Sequence, residues 1–142
     1  MTVKKTLFSS VLPVILFLFF SCALCGCSIG SGSSSKGNDL DFTVVSEDRL
    51  SEELKTVIDE RKAAPFKVTY SDGDYLYICI GYGEQQTGGY SIAVDKLHQT
   101  EEAIYVSTSL LGPGPQDDTS NAPSYPYIVI KIKYVDKSVI FE

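Results

Sequence analysis

The sequence predicts a small α+β domain that is mainly β, with one N-terminal helix and about seven short strands in an antiparallel β-sandwich or partly open barrel. Two patterns carry this prediction. Most segments after Pro65 alternate apolar with polar residues and are rich in Tyr, Ile and Val, which is typical of half-buried strands. Helices and strands do not alternate along the chain, so a parallel sheet of strand-helix-strand units is not expected.

The single helix is expected between a β-rich run, Phe42-Thr43-Val44-Val45, and the helix-breaking Pro65. Apolar residues recur there at helical spacing, at Leu50, Leu54, Val57 and Ile58. This spacing predicts an amphipathic helix whose apolar side packs on a sheet.

The strands follow from the alternation and from the turns between them. Phe66, Val68 and Tyr70 share one side of a first strand, and the Asp-Gly turn in residues 71–74 predicts a hairpin to a second strand at residues 75–80. Three later strands are predicted from their core-facing residues: Tyr90, Ile92 and Val94; Ile104, Val106 and Thr108; and Ile128, Ile130, Ile132 and Tyr134. A tight connection at residues 135–138 precedes a last strand that ends the chain.

Residues 1–26 are predicted to be a secretory signal, because Lys4 and Lys5 precede an apolar run over residues 7–20 that ends in small residues and cysteines. The segment SCALCGCSIG at residues 21–30 resembles a bacterial lipoprotein signal, and Cys27 fits the lipidation position better than Cys22 or Cys25. An ordinary secreted protein cut nearby is the alternative. Residues 27–39 are expected to form a flexible Gly/Ser tether, and residues 40–142 a single globular domain.

The charge of the chain excludes several partners. Removal of the signal leaves 10 basic and 18 acidic residues, a formal charge of about −8. A chain this acidic is a poor partner for nucleic acid or for an anionic lipid surface, so membrane contact is expected to come from the lipid. Cys79 is then the only thiol besides Cys27, and its apolar strand predicts a buried core residue without a disulfide.

The clustered glycines do not form a nucleotide site. A dinucleotide fingerprint would need glycine where Gln86 stands. A P-loop would need Gly-Lys-Ser/Thr, but this run reads Gly88-Gly89-Tyr90 and has no lysine before Lys96. No nucleotide and no cofactor is therefore expected.

Catalytic and metal sites are also not predicted. His98 is the only histidine, it is expected as a solvated residue just past a strand end, and no second imidazole is available for zinc. No Gly-x-Ser-x-Gly elbow is present, and the acidic pairs Asp72/Asp74 and Asp117/Asp118 lack a full calcium loop. The protein is therefore predicted not to be an enzyme, with a small hydrolase that uses His98 as the alternative.

The stretch Gly-Glu-Gln-Gln-Thr-Gly-Gly-Tyr at residues 83–90, followed by the alternating Ser91, Ile92 and Val94, carries the most specific pattern in the chain. It resembles the Gly-x-x-x-Thr-Gly-Gly-Tyr hallmark of the PrcB C-terminal domain family, and Tyr125-Pro126-Tyr127 resembles a later Pro-Tyr strand of that family. The resemblance covers about residues 66–141.

This resemblance implies a non-enzymatic accessory lipoprotein on the extracytoplasmic face of a cell membrane that interacts with and stabilises a surface protease. The candidate partner-contact loop consists of Glu84, Gln85, Gln86, Thr87, Gly88, Gly89 and Tyr90; the same loop could serve only to turn the chain. A protease inhibitor is a further alternative, because Thr-Gly-Gly-Tyr resembles the Thr-Thr-Gly-Tyr loop of chagasin-like inhibitors, although this chain lacks their second threonine and their tryptophan.

Overall fold

Eight strands in two four-stranded sheets, together with one helix, make up the fold of the computed structural model, which describes residues 37–117 and 119–142. All of them belong to the compact unit formed by residues 35–142. In chain order the elements are β1 (Asn38–Asp39), β2 (Thr43–Val44), a 3₁₀ turn (Glu47–Arg49), α1 (Glu52–Arg61), β3 (Pro65–Ser71), β4 (Tyr75–Tyr82), β5 (Ser91–Gln99), β6 (Ala103–Leu111), β7 (Tyr127–Lys133) and β8 (Ser138–Phe141).

The two sheets stack face to face as a sandwich. One sheet has the strand order β2-β7-β4-β3 and the other β1-β5-β6-β8; we call them the covered sheet and the open sheet. All neighbouring strands pair antiparallel except β6 and β8, which pair parallel from Ala103↔Ser138 to Val106↔Phe141. The predicted mainly β class with one helix is confirmed, and the described strands form a sandwich and no closed barrel.

The main core lies between the two sheets. Strict alternation along the strands supplies it, because residues of one parity point to one face. Its buried members are Leu76, Ile78, Ile80, Leu97, Ile104, Val106, Ile128, Ile130 and Ile132. The predicted core residues of the strand that begins at Tyr127 are thus confirmed, apart from Tyr134, which follows the strand end and is 42% exposed.

A second core lies on the outer face of the covered sheet, under α1. Leu50, Leu54 and Ile58 of the helical segment pack there on Phe66, Cys79 and Val129. The Ser51 hydroxyl accepts a hydrogen bond from the Leu54 amide (3.3 Å) and caps the helix, as N-terminal serines commonly do. The central strand β4 is therefore buried on both faces, which explains its nearly continuous apolar sequence.

The connections define two ends of the sandwich. At the loop end, residues 83–90 join β4 to β5 and residues 112–126 join β6 to β7, so both long connections cross from one sheet to the other. At the opposite end, which we call the tether end, lie β1, the hairpin turn at residues 72–74 and the connection at residues 134–137. That last connection also crosses between the sheets, since β8 joins the open sheet.

The N-terminal part of the described chain straps the sandwich along one side. Asn38 and Asp39 pair with Gln99 and His98 of the open sheet, and β2 pairs with β7 of the covered sheet. Ordered pairing thus includes the last two residues of the segment predicted as a tether. The predicted signal, Cys22, Cys25 and Cys27 lie outside the described residues. Within the described ranges, no helix has the length and apolar character needed to cross a membrane.

Candidate functional site

The candidate loop leaves β4 and reaches β5 through two glycines with left-handed backbone. Gly83 has φ 74° and Gly89 has φ 86°, a region in which residues with a Cβ are strained. Gly83 turns the chain immediately after Tyr82, and Gly89 redirects it before Tyr90. The path of the backbone therefore requires glycine at positions 83 and 89 of this motif.

The loop is hydrogen bonded to a second segment of the chain, residues 119–126. The Gln85 amide donates to the Ser124 carbonyl (2.8 Å), and the Ser124 amide donates back to the Gln85 carbonyl (3.0 Å). Further along, the Gly88 amide donates to the Ser120 carbonyl (3.0 Å), and the Ser124 hydroxyl donates to the Thr87 carbonyl (2.6 Å). We call residues 83–90 and 119–126 the loop pair.

The Gly-Gly dipeptide lies where this second segment comes closest. A Cβ on Gly88 would stand 2.7 Å from the Ser120 hydroxyl oxygen, and one on Gly89 would stand 3.0 Å from Pro113 and 3.2 Å from the Thr119 methyl group. The close approach that a Gly-Gly pair permits is thus made by the protein's own chain. The Gly-Gly dipeptide therefore serves the packing of the loop pair, and a partner could contact only those groups of the loop that are not used in this packing.

Three of the seven residues of the candidate partner-contact loop are exposed. Glu84, Gln86 and Gly89 are exposed, whereas Gln85, Thr87, Gly88 and Tyr90 are half-buried. The ring of Tyr90 lies beside Gly112, where a Cβ would come within 3.6 Å of it. A partner that approaches the loop end would therefore meet Glu84, Gln86 and the Gly89 backbone first.

A tyrosine and a glutamate link the two members of the loop pair. The Tyr125 hydroxyl donates to the Glu84 carboxylate (3.0 Å). This hydrogen bond, followed by the negative charge of Glu84, raises the pKa of Tyr125 above its ordinary value. Both side chains reach the surface, so the pair contributes more to the position of Glu84 than to stability.

His98 does not occupy the predicted position past a strand end. It lies inside β5, on the face of the open sheet that is turned away from the core, and its imidazole stacks on the Tyr105 ring at 5.1 Å and 8°. The interpretation as a solvated loop residue is therefore wrong: the strand continues through Gln99 because it pairs with both β6 and Asn38–Asp39. Gly37 lies against the imidazole, so His98 helps to position the residues that lead into β1.

The acidic turns use their carboxylates for local structure. One Asp72 carboxylate oxygen accepts hydrogen bonds from the amides of Asp74 (3.0 Å) and Tyr75 (2.8 Å), and the other accepts from the Tyr77 hydroxyl (3.0 Å). The Tyr75 amide bond is the main cause that lowers the pKa of Asp72. Among residues 37–117 and 119–142, no cluster of three or more His, Cys, Asp or Glu side chains could hold a metal ion.

Cys79 is buried, as predicted, in the second core beneath α1. Burial raises the pKa of its thiol to about 12, so the nucleophilic thiolate is not formed at neutral pH. Burial likewise raises the pKa of the neighbouring Tyr127 to about 12. Neither group has the properties of a reactive site.

Ser120 and Ser124 contribute to the site although the sequence does not mark them as candidates. Both lie in a segment rich in Gly, Pro and Asp that carries no periodic signal, and they contact residues more than thirty positions away. The one available signal was Tyr125-Pro126-Tyr127, which marks the end of that segment.

The fold and this site define a class of protein: a two-sheet sandwich with a helix on one sheet and a braced pair of loops at one end. A family model described as PrcB C-terminal matches residues 76–133, which run from β4 through both loops to the end of β7. These residues belong to the PrcB C-terminal family, and the resemblance predicted from the Thr-Gly-Gly-Tyr motif is confirmed. No curated protein and no solved structure matches the chain.

Proposed function

We propose that this chain is a lipid-anchored, extracytoplasmic accessory protein that binds a surface protease and has no catalytic activity of its own. The observation that carries the proposal is the PrcB C-terminal match, because it spans the segment that contains both loops. An accessory role of this kind is what membership of that family implies.

The geometry of the loop pair supports a contact role at the loop end. Its backbone is held by reciprocal hydrogen bonds between Gln85 and Ser124, so little conformational entropy is lost when a partner binds. Its outward side exposes Gln86 and also Glu84, whose carboxylate accepts a hydrogen bond from the Tyr125 hydroxyl. A rigid loop with exposed polar side chains suits a surface that a partner recognises in one fixed shape.

The decisive experiment captures partners from the membranes of the native cell with the full chain and compares two variants of equal charge change. Gln86→Arg places an arginine on the exposed side of the loop, and Ser138→Arg places one on the exposed start of β8 at the tether end. We expect Gln86→Arg to reduce recovery of the partner about tenfold or more, because a misplaced interfacial charge is costly. Ser138→Arg should recover wild-type amounts. Equal recovery by both variants would show that the loop is only structural.

Lipid attachment is tested separately by metabolic labelling with palmitate. We expect the label on the wild-type chain and its loss in Cys27→Ser. Label that persists in Cys27→Ser and disappears in Cys22→Ser or Cys25→Ser would move the lipidated position, and an unlabelled wild-type chain would remove the anchor from the proposal.

A protease inhibitor is the second candidate function, and the bracing of the loop by residues 119–126 favours it. Loops that enter a protease cleft and survive there are held rigid, and the Ser124 hydroxyl bond to the Thr87 carbonyl gives such support. Slow or absent cleavage at residues 84–90, together with inhibition of a papain-like protease, would support this function. Uninhibited protease removes it. A hydrolase that uses His98 predicts instead that His98→Ala abolishes activity on a substrate panel.

A further inference from the structure

The outer edge of β6 is only half covered by its neighbour. β8 pairs with Ala103 to Val106, whereas β6 continues to Leu111. The last bond on this side runs from the Glu142 amide to the Val106 carbonyl (2.9 Å). Because the main-chain groups of a strand point alternately to its two neighbours, those of Thr108 and Leu110 face the same edge as those of Val106. Among the described residues, no strand pairs with residues 107–111 on that side.

One of the exposed acceptors on this edge already has a partner. The Tyr82 hydroxyl donates to the Thr108 carbonyl (2.8 Å) and is also within hydrogen-bond distance of the Thr108 hydroxyl (2.9 Å). A carbonyl oxygen has two lone pairs, so this bond leaves room for a second donor. The amides of Thr108 and Leu110 and the carbonyl of Leu110 remain as the groups that a further strand would use.

A groove of about 500 Å³ follows this edge, between β6 and the edge strand of the covered sheet. Its lining includes Pro65 and Lys67 of β3, Ile80 and Tyr82 of β4, Thr108 and Glu142. At the loop end of the sandwich, Pro65 lies against Gly83, so the groove opens beside the loop pair. Its volume accommodates a few side chains of an extended segment.

The two strand edges that border the groove differ in their protection against pairing. β3 begins with Pro65 and turns Lys67 toward the groove, with its ammonium 5.3 Å from the centre of the Phe141 ring. Proline and inward-facing lysine are common means of blocking strand addition. Residues 107–111 of β6 read Ser-Thr-Ser-Leu-Leu and contain neither. The unprotected edge is therefore that of β6.

We propose that an extended segment of the protein partner binds in this groove by adding to the free edge of β6 in line with β8. This inference rests on the proposed binding function and gives it a second contact surface beside the loop pair. Strand addition supplies main-chain hydrogen bonds from Thr108 and Leu110, and the groove takes alternate side chains of the segment.

The charge of the domain specifies the chemistry of that segment. Residues 37–142 contain nine Lys and Arg against eighteen Asp and Glu, so the domain as a whole is negative, while Lys67 and Glu142 offset each other within the groove. Like charge disfavours edge-to-edge pairing of two copies of the chain and favours a basic segment. The expected occupant alternates apolar residues with lysine or arginine.

The test begins with a displayed library of short random peptides panned against the full chain in detergent. We expect binders in which apolar and basic residues alternate. In the isotopically labelled chain, the Thr108 and Leu110 amides should exchange quickly with solvent when free and at least about tenfold more slowly with a bound peptide. The Ser109 amide faces β5 and should be protected in both states.

Two proline variants provide a matched comparison. Leu110→Pro removes an amide that faces the free edge of β6, and Thr69→Pro removes one that faces the free edge of β3; an edge position tolerates proline. We expect Leu110→Pro to weaken peptide binding about tenfold or more and Thr69→Pro to leave it unchanged. If Leu110→Pro does not fold, the proposal is tested by the exchange of the Thr108 and Leu110 amides in the wild-type chain, with and without bound peptide.

Three results would overturn the proposal. They are the absence of any binder, protection of Lys67, Thr69 and Ser71 in place of Leu110, and protection of Leu110 that rises with protein concentration together with a doubled mass in sedimentation. The last result would assign the edge to a second copy of the chain. Peptide binding at β6 together with failed partner capture would contradict the proposed function and leave the groove as a peptide site.

Discussion

Two glycine turns at opposite ends of β4 have the same backbone geometry for different reasons. Gly73, in the hairpin before the strand, has φ 98° and nothing within 4 Å of the place where a Cβ would be. Gly83, directly after the strand, has φ 74°, and a Cβ there would lie 2.8 Å from the Pro65 ring. Glycine is favoured at position 73 only by the backbone angle, whereas at position 83 it is favoured both by the backbone angle and by the contact with Pro65.

The side chains around the two turns repeat this difference. At the hairpin, Ser71 and Asp72 bond to amides two or three residues further on. In the loop pair, Ser124 bonds to Thr87, 37 positions away in the chain. Local turns can therefore be predicted from short patterns, while the loop pair exists only once the sandwich has formed.

Replacing each of the two glycines with alanine should separate strain from crowding. Gly73→Ala should cost about 1–2 kcal/mol, the penalty of a left-handed residue with a Cβ. Gly83→Ala should cost about 2–4 kcal/mol, because its Cβ would also meet Pro65 and the Ala64 backbone. Urea unfolding followed by circular dichroism measures both values. Equal costs would mean that the contact with Pro65 relaxes freely and that the contrast fails.

Gly89→Ala should fall between these two variants, at about 1–3 kcal/mol. Its φ is 86°, but the atoms that its Cβ would meet are side-chain atoms of Pro113 and Thr119, which can move more easily than backbone. The same unfolding measurement applies, and Gly73→Ala is again the control. If Gly89→Ala lowers the free energy of unfolding no more than Gly73→Ala does, then Pro113 and Thr119 move aside at no measurable cost.

Ser124→Ala should destabilise the protein by about 1 kcal/mol, since it removes a half-buried hydrogen bond to the Thr87 carbonyl. Ser71→Ala removes an exposed hydrogen bond to the Gly73 amide and should change stability by less than about 0.5 kcal/mol. Amide exchange at Gly88 should increase in the first variant only. An unchanged Gly88 amide would indicate that the main-chain bonds alone hold the loop pair.

The hairpin should respond to acid through Asp72. Its pKa is lowered in the folded protein by the Tyr75 amide, so its stabilising effect is present above the ordinary value of 3.8 and is lost as the pH falls through the lowered folded value. Carboxylate NMR should show an Asp72 titration midpoint below 3.8. In Asp72→Asn this contribution to acid sensitivity should disappear. A midpoint at or above the ordinary value would contradict the hydrogen bonds assigned to this carboxylate.

The outcome for individual elements shows what local sequence can predict. The hairpin around Gly73 and the buried alternation of Ile128, Ile130 and Ile132 were predicted correctly, because turn chemistry and period-two patterns act over a few residues. The tight connection at residues 135–138 was also expected, but nothing local indicates that it leads β8 into the other sheet, where it pairs parallel with β6. Register between distant strands is set by the assembled core.

His98 and Tyr134 illustrate two ways in which the prediction of a position failed. His98 was placed outside its strand because the polar residues around it resemble a loop, whereas pairing with β1 and β6 extends the strand through them. Tyr134 continues the alternation of β7 beyond the last paired residue, so the period persists in the sequence after the strand itself has ended. For the candidate site, the glycine motif marked one loop and gave no information about its partner.

Gly37 and β1 lie at the tether end of the sandwich, opposite to the loop pair. β4, which runs between the two ends, has 8 residues, and at about 3.3 Å per residue it spans roughly 26 Å. Gly37 therefore lies about one strand length from the loop pair along the strand direction. The sandwich thus acts as a spacer of fixed height between Gly37 and the loop pair.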